Sequence, residues 1–309
     1  MAKRRNYTAG PTSTGLAFAG AGCSPIGNLI NPNVTGVAPP PGTAFTAGPA
    51  QMLTNIHVQL VFWGAWWNNN PLATQVTNAV GNLLAGPYMT YLAQYGVHRG
   101  NIRGTTFVGD SEPGTFSFSS VGNFIVDLLD NDRLPEPDAG WPIVFAVIMP
   151  VNSAFQGTSP PDTLPLPLGA VSQVTGENGS IIWNDFDLGD VDNDPAYFLW
   201  TGNDGTLNYI TTVLSHELVE IATDPNGGNG VRKAGCTGGS CQIGDVLTVC
   251  QNWCDVVRGV RAQAYWSQLD GNGVLPTMYS VRRTLAGKSI GGKVPRPNPS
   301  MNAWIAGQF

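Results

Sequence analysis

What this chain lacks most is charge. Between Asn6 and His98 there is no Asp, Glu, Lys or Arg, and charged side chains make up only 12% of the 309 residues, about half the usual share. A surface built this way depends on Asn, Ser, Thr and Gly for hydration, a habit of extracellular proteins. The residual balance is acidic, −6 at pH 7, which argues against nucleic acid as a partner, because phosphate recognition needs a basic face. The basic clusters, Lys3-Arg4-Arg5 and Arg282-Arg283 through Arg296, lie toward the two ends and read as solvated termini. Long apolar runs are missing too. None approaches the ~20 residues of a membrane span, and none of the roughly 7–15 residues required of a signal peptide follows Lys3-Arg4-Arg5. An extracellular location is therefore expected from composition, with no recognisable signal peptide.

The chain has plenty of turn formers, 39 glycines and 24 prolines, and no internal repeat. Residues 1–50 read as an irregular N-terminal arm. Residues 51–225 read as a sheet-plus-helix lobe, and 226–309 as a smaller irregular lobe. Within the middle segment, Asn55 to Gly64 alternates as a strand, and Ala73 to Tyr95 is helical with a break at Gly86-Pro87. A short strand over Thr105 to Val108 and a helix over Ser119 to Leu129 follow. Ile143 to Met149, an unbroken apolar run between Pro142 and Pro150, reads as a central buried strand. Ala170 to Val174 and Ser180 to Trp183 read as edge strands. Strands alternating with helices predict an α/β (α+β) layered fold with a mixed sheet.

The chemistry concentrates in Ser215-His216-Glu217-Leu218-Val219-Glu220-Ile221-Ala222-Thr223-Asp224-Pro225, in a protein with only three histidines. Residues four apart on a helix share a face, so His216 and Glu220 can grip one metal ion from the same side. Glu217 points to a neighbouring side, placed to act on water as a base. This is the logic of the H-E-x-x-H zinc helix with its second histidine replaced. Apolar residues at 210, 213, 214, 218 and 221 form a stripe that omits His216 and Glu220, predicting a half-buried helix. Asp204-Gly205-Thr206 offers its N-cap, and Pro225 ends it.

A catalytic zinc takes three protein ligands and leaves a position open. Asp245, downstream of the helix, is the first choice for the third; Asp224 is the second choice, better suited to orienting His216 or capping the turn. His57 and His98 are candidates by residue type alone. A single nitrogen with two carboxylates is a hard donor set, so manganese or calcium could replace zinc. Separately, Asp190-x-Asp192-Asn193-Asp194 matches the first half of a calcium loop, without its glycine or downstream glutamate. Cys236, Cys241, Cys250 and Cys254 suggest two local disulfides after the helix and an oxidising compartment, with a structural zinc site as the alternative; Cys23 is then the odd thiol. Sequons occur at Asn6, Asn33 and Asn178.

His216-Glu217-Leu218-x-Glu220-x-x-Thr223-Asp224-Pro225, with Ile243-Gly244-Asp245 and Tyr265-Trp266-Ser267, resembles secreted microbial proteins related to the plant exordium (phosphate-induced) family, H-E-L-x-E variants of zincin metallopeptidases. Val58-Gln59-Leu60-Val61-Phe62-Trp63-Gly64 and Gly86-Pro87-Tyr88-Met89 resemble the opening strand and next helix of those proteins. Gln242 stands where a glutamate is expected. The resemblance implies a zincin-like mixed sheet carrying an active-site helix, and a Zn2+ site. The expected reaction is hydrolysis of a peptide or protein substrate, with Glu217 as general base and the ion held by His216, Glu220 and Asp245. Tyr265 or Arg261 is expected to steady the oxyanion. The rival expectation is a non-enzymatic extracellular or cell-surface binding protein with a structural metal, suited by low charge and nine tryptophans to carbohydrate or cell-wall association.

Overall fold

The protein is described by a computed structural model covering residues 24–25, 45–47, 52–137, 141–151, 153–156, 176–185, 192–227, 230–236, 241–245 and 253–276. Its centre is a five-stranded sheet of β1 (His57–Trp63), β2 (Asn101–Val108), β3 (Ile143–Ile148), β4 (Gly176–Asp185) and β5 (Asp192–Thr201). The spatial order is β2-β1-β3-β5-β4. The first four strands in that order run parallel, and β4 joins antiparallel at the edge. The fold is thus α/β with a mixed sheet.

Helix α1 (Pro71–Ala85) starts at Asn70, whose side chain accepts from the Leu72 N–H, with Pro71 pre-set for the first turn. It stops before Gly86-Pro87, and Pro87 opens a separate turn, Pro87–Thr90. Helix α2 (Phe118–Asp130) opens with a capping box between Ser117 and Ser120. Helix α3 (Leu207–Thr223) carries the His-Glu motif. Its boundary is built by Thr206, whose Oγ1 accepts from the Tyr209 N–H, while Asp204 Oδ1 accepts from the Thr206 N–H and hydroxyl.

The two sheet faces bury different cores. Val58, Leu60 and Phe62 pack with Val76, Leu83, Leu214 and Leu218, so α1 and α3 cover one face. Val61, Trp63, Phe145 and Val147 pack with Val121, Ile125 and Leu129, so α2 covers the other. The first cluster also holds Ile243, Val260, Ala262, Tyr265 and Val274. The described part of 226–309 is therefore packed onto the sheet. It contributes β6 (Trp253–Val257), β7 (Val260–Gln263), β8 (Tyr265–Ser267) and β9 (Asn272–Val274), in two antiparallel pairs.

Two local expectations are corrected. Every residue of α3 from Ile210 to Thr223 is buried, where the apolar stripe predicted a half-buried helix. The polar side is covered by β4, β7 and the 241–245 turn, which come from distant parts of the chain. The acidic segment expected as a loop becomes strand at Asp192, where Asp192 pairs with Asp185 and Asp194 with Trp183. The strand expected over Ala170 to Val174 lies outside the described residues, as does most of the 1–50 arm. Among the described residues, no helix is long and apolar enough to cross a membrane.

Candidate metal centre

Three segments converge on His216. Its Nε2 lies 3.3 Å from Glu220 Oε1, 3.8 Å from Asp245 Oδ1 and 4.0 Å from Glu217 Oε1. The one-turn spacing on α3 brings the first pair together. Asp245 arrives on a tight turn: its N–H donates to the Gln242 carbonyl, and its Oδ2 accepts from the Gln242 N–H, both at 3.2 Å. That reciprocal lock leaves Oδ1 aimed at the histidine. The turn itself is fastened by the Trp266 N–H, which donates to the Ile243 carbonyl at 2.8 Å.

From β4, Asn178 Nδ2 donates to Glu217 Oε2 at 2.8 Å and to Glu220 Oε2 at 3.1 Å. Each glutamate thus gives one oxygen to Asn178 and turns the other toward His216. Behind the imidazole, Gln263 Nε2 lies 2.7 Å from Nδ1 and donates to the Gly244 carbonyl at 3.1 Å. Two glycines permit this packing. A Cβ on Gly244 would come within 2.7 Å of His216 Nδ1 and 2.8 Å of Glu220 Oε1, and one on Gly176 within 2.7 Å of Glu217 Oε1.

His216 Nε2, Glu220 Oε1 and Asp245 Oδ1 are all buried and meet no hydrogen-bond partner, and these ligand atoms lie within 4.8 Å of one another. Buried polar atoms are rarely left unpaired, because each costs about 1–3 kcal/mol in lost solvation. One imidazole nitrogen and two carboxylate oxygens facing a common point fit a divalent cation, whose charge also balances the two carboxylates.

The electrostatics agree. Burial, then the charges of Asp245 and Glu217, drives Glu220 well above the ordinary carboxyl range. Burial raises Glu217 well above that range, opposed by the Asn178 hydrogen bond and reinforced by Asp245 and Glu177. Burial pushes Asp245 up to about 7 against the pull of the Gln242 N–H, and Glu177, hydrogen-bonded by the Trp200 indole, up to about 7. Burial also lowers His216 to about 4. The imidazole is therefore neutral at physiological pH, as a metal ligand must be, and the raised carboxyls mark a place where a cation's charge would be favourable.

The other sequence candidates are placed elsewhere. Asp224 caps α3: its Oδ1 accepts from the Gly230 N–H at 2.7 Å and its Oδ2 lies 3.6 Å from Arg232 Nε. It acts on the centre through charge, raising Glu220 further. His57 and His98 are outside the convergent group. The Tyr265 hydroxyl donates to the Tyr88 carbonyl and Arg261 Nε to Cys254 Sγ; both expected oxyanion donors are thus engaged away from the group. Cys236 and Cys241 form a disulfide, and Cys254 is disulfide-bonded as well. Cys23, Cys250, Asp190 and the side chains of Asp192 and Asp194 lie outside the described residues. Asn178, one of the sequons, is fully buried with its amide on two carboxylates. Sequence reasoning missed the roles of Asn178, Glu177 and Gln263. The trace of Glu177 and Asn178 was a polar Gly-Glu-Asn-Gly run that lies inside β4, and Gln263 left none.

Compared with known proteins, the chain matches no family model, no curated protein and no solved structure.

Proposed function

We propose that the protein is a secreted, zincin-like, metal-dependent hydrolase acting on peptide bonds. The convergence of the unpartnered His216, Glu220 and Asp245 atoms carries this reading, and the motif resemblance to exordium-related H-E-L-x-E proteins supports it. A zinc ion held by these three residues would supply Lewis-acid chemistry. Glu217 is the general base: Asn178 fixes its Oε2, and its Oε1 faces the same space as the ligand atoms. Gln263 holds the far nitrogen of the imidazole. β4, which carries Asn178 and is an edge of the sheet among the described residues, would offer main-chain groups to an extended peptide. The Cys236–Cys241 disulfide suits an oxidising, extracellular setting. Calcium at Asp190, Asp192 and Asp194 would be a separate stabilising site without a part in the chemistry.

The near-complete burial of the ligand residues, His216 at 1%, Glu220 at 0% and Asp245 at 4% exposure, favours a second reading. In it, the ion is structural and the protein is a non-enzymatic cell-surface binding protein. Elemental analysis of the purified chain, with a peptide-library cleavage assay on wild type and Glu217→Gln, separates the two. Bound zinc with cleavage lost in the variant supports the hydrolase. Bound zinc with no cleavage by wild type leaves the structural reading, and no bound zinc overturns both.

A further inference from the structure

Polar groups with no partner gather at a second place, on the sheet face opposite α3. A cavity of about 330 Å³ opens where β1 and β3 begin, lined by His57, Arg103, Glu136, Trp141 and Ile143. That volume is at the small end of ligand pockets, roughly 300–1,000 Å³. His57 alternates along β1 onto the side of Val61 and Trp63, the face covered by α2.

Trp141 forms one wall. It is 61% exposed, one of three exposed large hydrophobic residues in the described structure. Its ring is held against the His57 imidazole, centroids 5.3 Å apart at 62°. His57 Nε2 is buried and meets no hydrogen-bond partner. Arg103 and Glu136 are exposed at the rim, and neither makes an ion pair or hydrogen bond in the described structure. The site thus presents a largely exposed indole, five guanidinium donors, a carboxylate acceptor and an imidazole nitrogen, and these polar groups meet no hydrogen-bond partner in the described structure. One cation and one anion cancel, so the pocket selects for no net charge. A ligand that uses all of these has an apolar C–H face and a rim of groups that both donate and accept.

We propose that this pocket is a saccharide subsite that takes a neutral pyranose unit. The sugar ring stacks on the Trp141 indole, its hydroxyls donate to Glu136 and accept from Arg103, and His57 Nε2 bonds a hydroxyl at the floor. The site is independent of the metal centre. It would anchor the protein on a polysaccharide from the side of the sheet away from α3, which carries His216 and Glu220.

The test is saturation-transfer NMR and tryptophan fluorescence on the full chain, titrated with cellotriose and chitotriose, with trialanine as a peptide control. Saturable binding of a trisaccharide is expected. Trp141→Ala should weaken it roughly tenfold or more, the loss of one aromatic contact, Glu136→Gln should weaken it less, and His216→Ala should leave it unchanged. Trp141 is exposed, so a melting curve matching wild type will verify that its variant folds. Three results would overturn the proposal: no saturable response to either sugar, wild-type affinity in Trp141→Ala, or a response to trialanine alone.

Discussion

Gln263 Nε2 lies 2.7 Å from His216 Nδ1. Because the same amide nitrogen also donates to the Gly244 carbonyl, the imidazole accepts at Nδ1 and carries its proton on Nε2. Ligation through Nε2 needs the reverse tautomer, with the amide turned so that Oε1, which has no partner here, accepts from Nδ1–H. Gln263 is therefore the gatekeeper of the histidine tautomer. Gln263→Leu should lower zinc affinity about 10- to 100-fold, the typical loss when a metal-bound histidine loses its outer partner, and Gln263→Glu should retain it. Competition with a chromophoric chelator reads both; equal affinities in wild type and Gln263→Leu would remove Gln263 from this role.

Asn178 ties the proposed base, Glu217, to the candidate ligand Glu220. Asn178→Ala frees Oε2 of Glu217 and of Glu220 together, so hydrolysis should fall by about 10- to 1,000-fold through misplacement of the base, with KM changing less than kcat. Steady-state kinetics on a cleaved library peptide would check this split.

Gly244 has no room for a methyl group. Gly244→Ala sets a Cβ at 2.7 Å from His216 Nδ1 and 2.8 Å from Glu220 Oε1, pushing apart two groups that must converge. Zinc should be lost, and stability should drop by about 1–3 kcal/mol, as overpacking commonly costs. Thermal melts with and without zinc measure both effects.

The buried acids set the pH dependence of the metal-free protein. Glu177 is raised from 4.5 to about 7, so between those values the folded chain binds more protons than the unfolded one. Stability therefore falls as pH rises through that window. Asp245, raised from 3.8 to about 7, acts in the same direction. Urea unfolding in chelator should show a less stable protein at pH 8 than at pH 5. Glu177→Gln should recover about 3 kcal/mol of the difference, and added zinc should restore stability at the higher pH by binding the folded state.

The parts of this fold that could be read from sequence are those whose signals are local. The Pro-bounded run over Ile143 to Met149 became the central strand β3 (Ile143–Ile148), and Gly86-Pro87 broke the helix where expected. Strand β5 was missed because Asp192-Asn193-Asp194-Pro195 reads as a turn. Pro195 is tolerated because the pairing of β5 with β3 begins only at Tyr197, so its missing N–H interrupts no ladder there. At the metal centre, the His216/Glu220 face followed from helical spacing, and Asp245 was reached by resemblance. Asn178 and Gln263 were invisible because each reaches α3 from a strand about forty residues away in sequence, where no periodicity links them. The same distance explains why α3 looked half-buried: its covering elements leave no mark on the helix itself.

The Tyr88 hydroxyl donates to the carbonyls of both Ser215 and Gln263, stitching the Pro87–Thr90 turn and the late strand β7 to the middle of α3. The centre is therefore a product of long-range closure. During synthesis, a nascent chain that has reached Thr223 lacks Asp245 and Gln263, so it has two of the three candidate ligands and no control over the tautomer. Under the proposed function, chemistry would switch on only after the 241–245 turn and β7 have docked. Such a delay would keep a hydrolase inert toward its own unfolded chain while that chain is most exposed to attack.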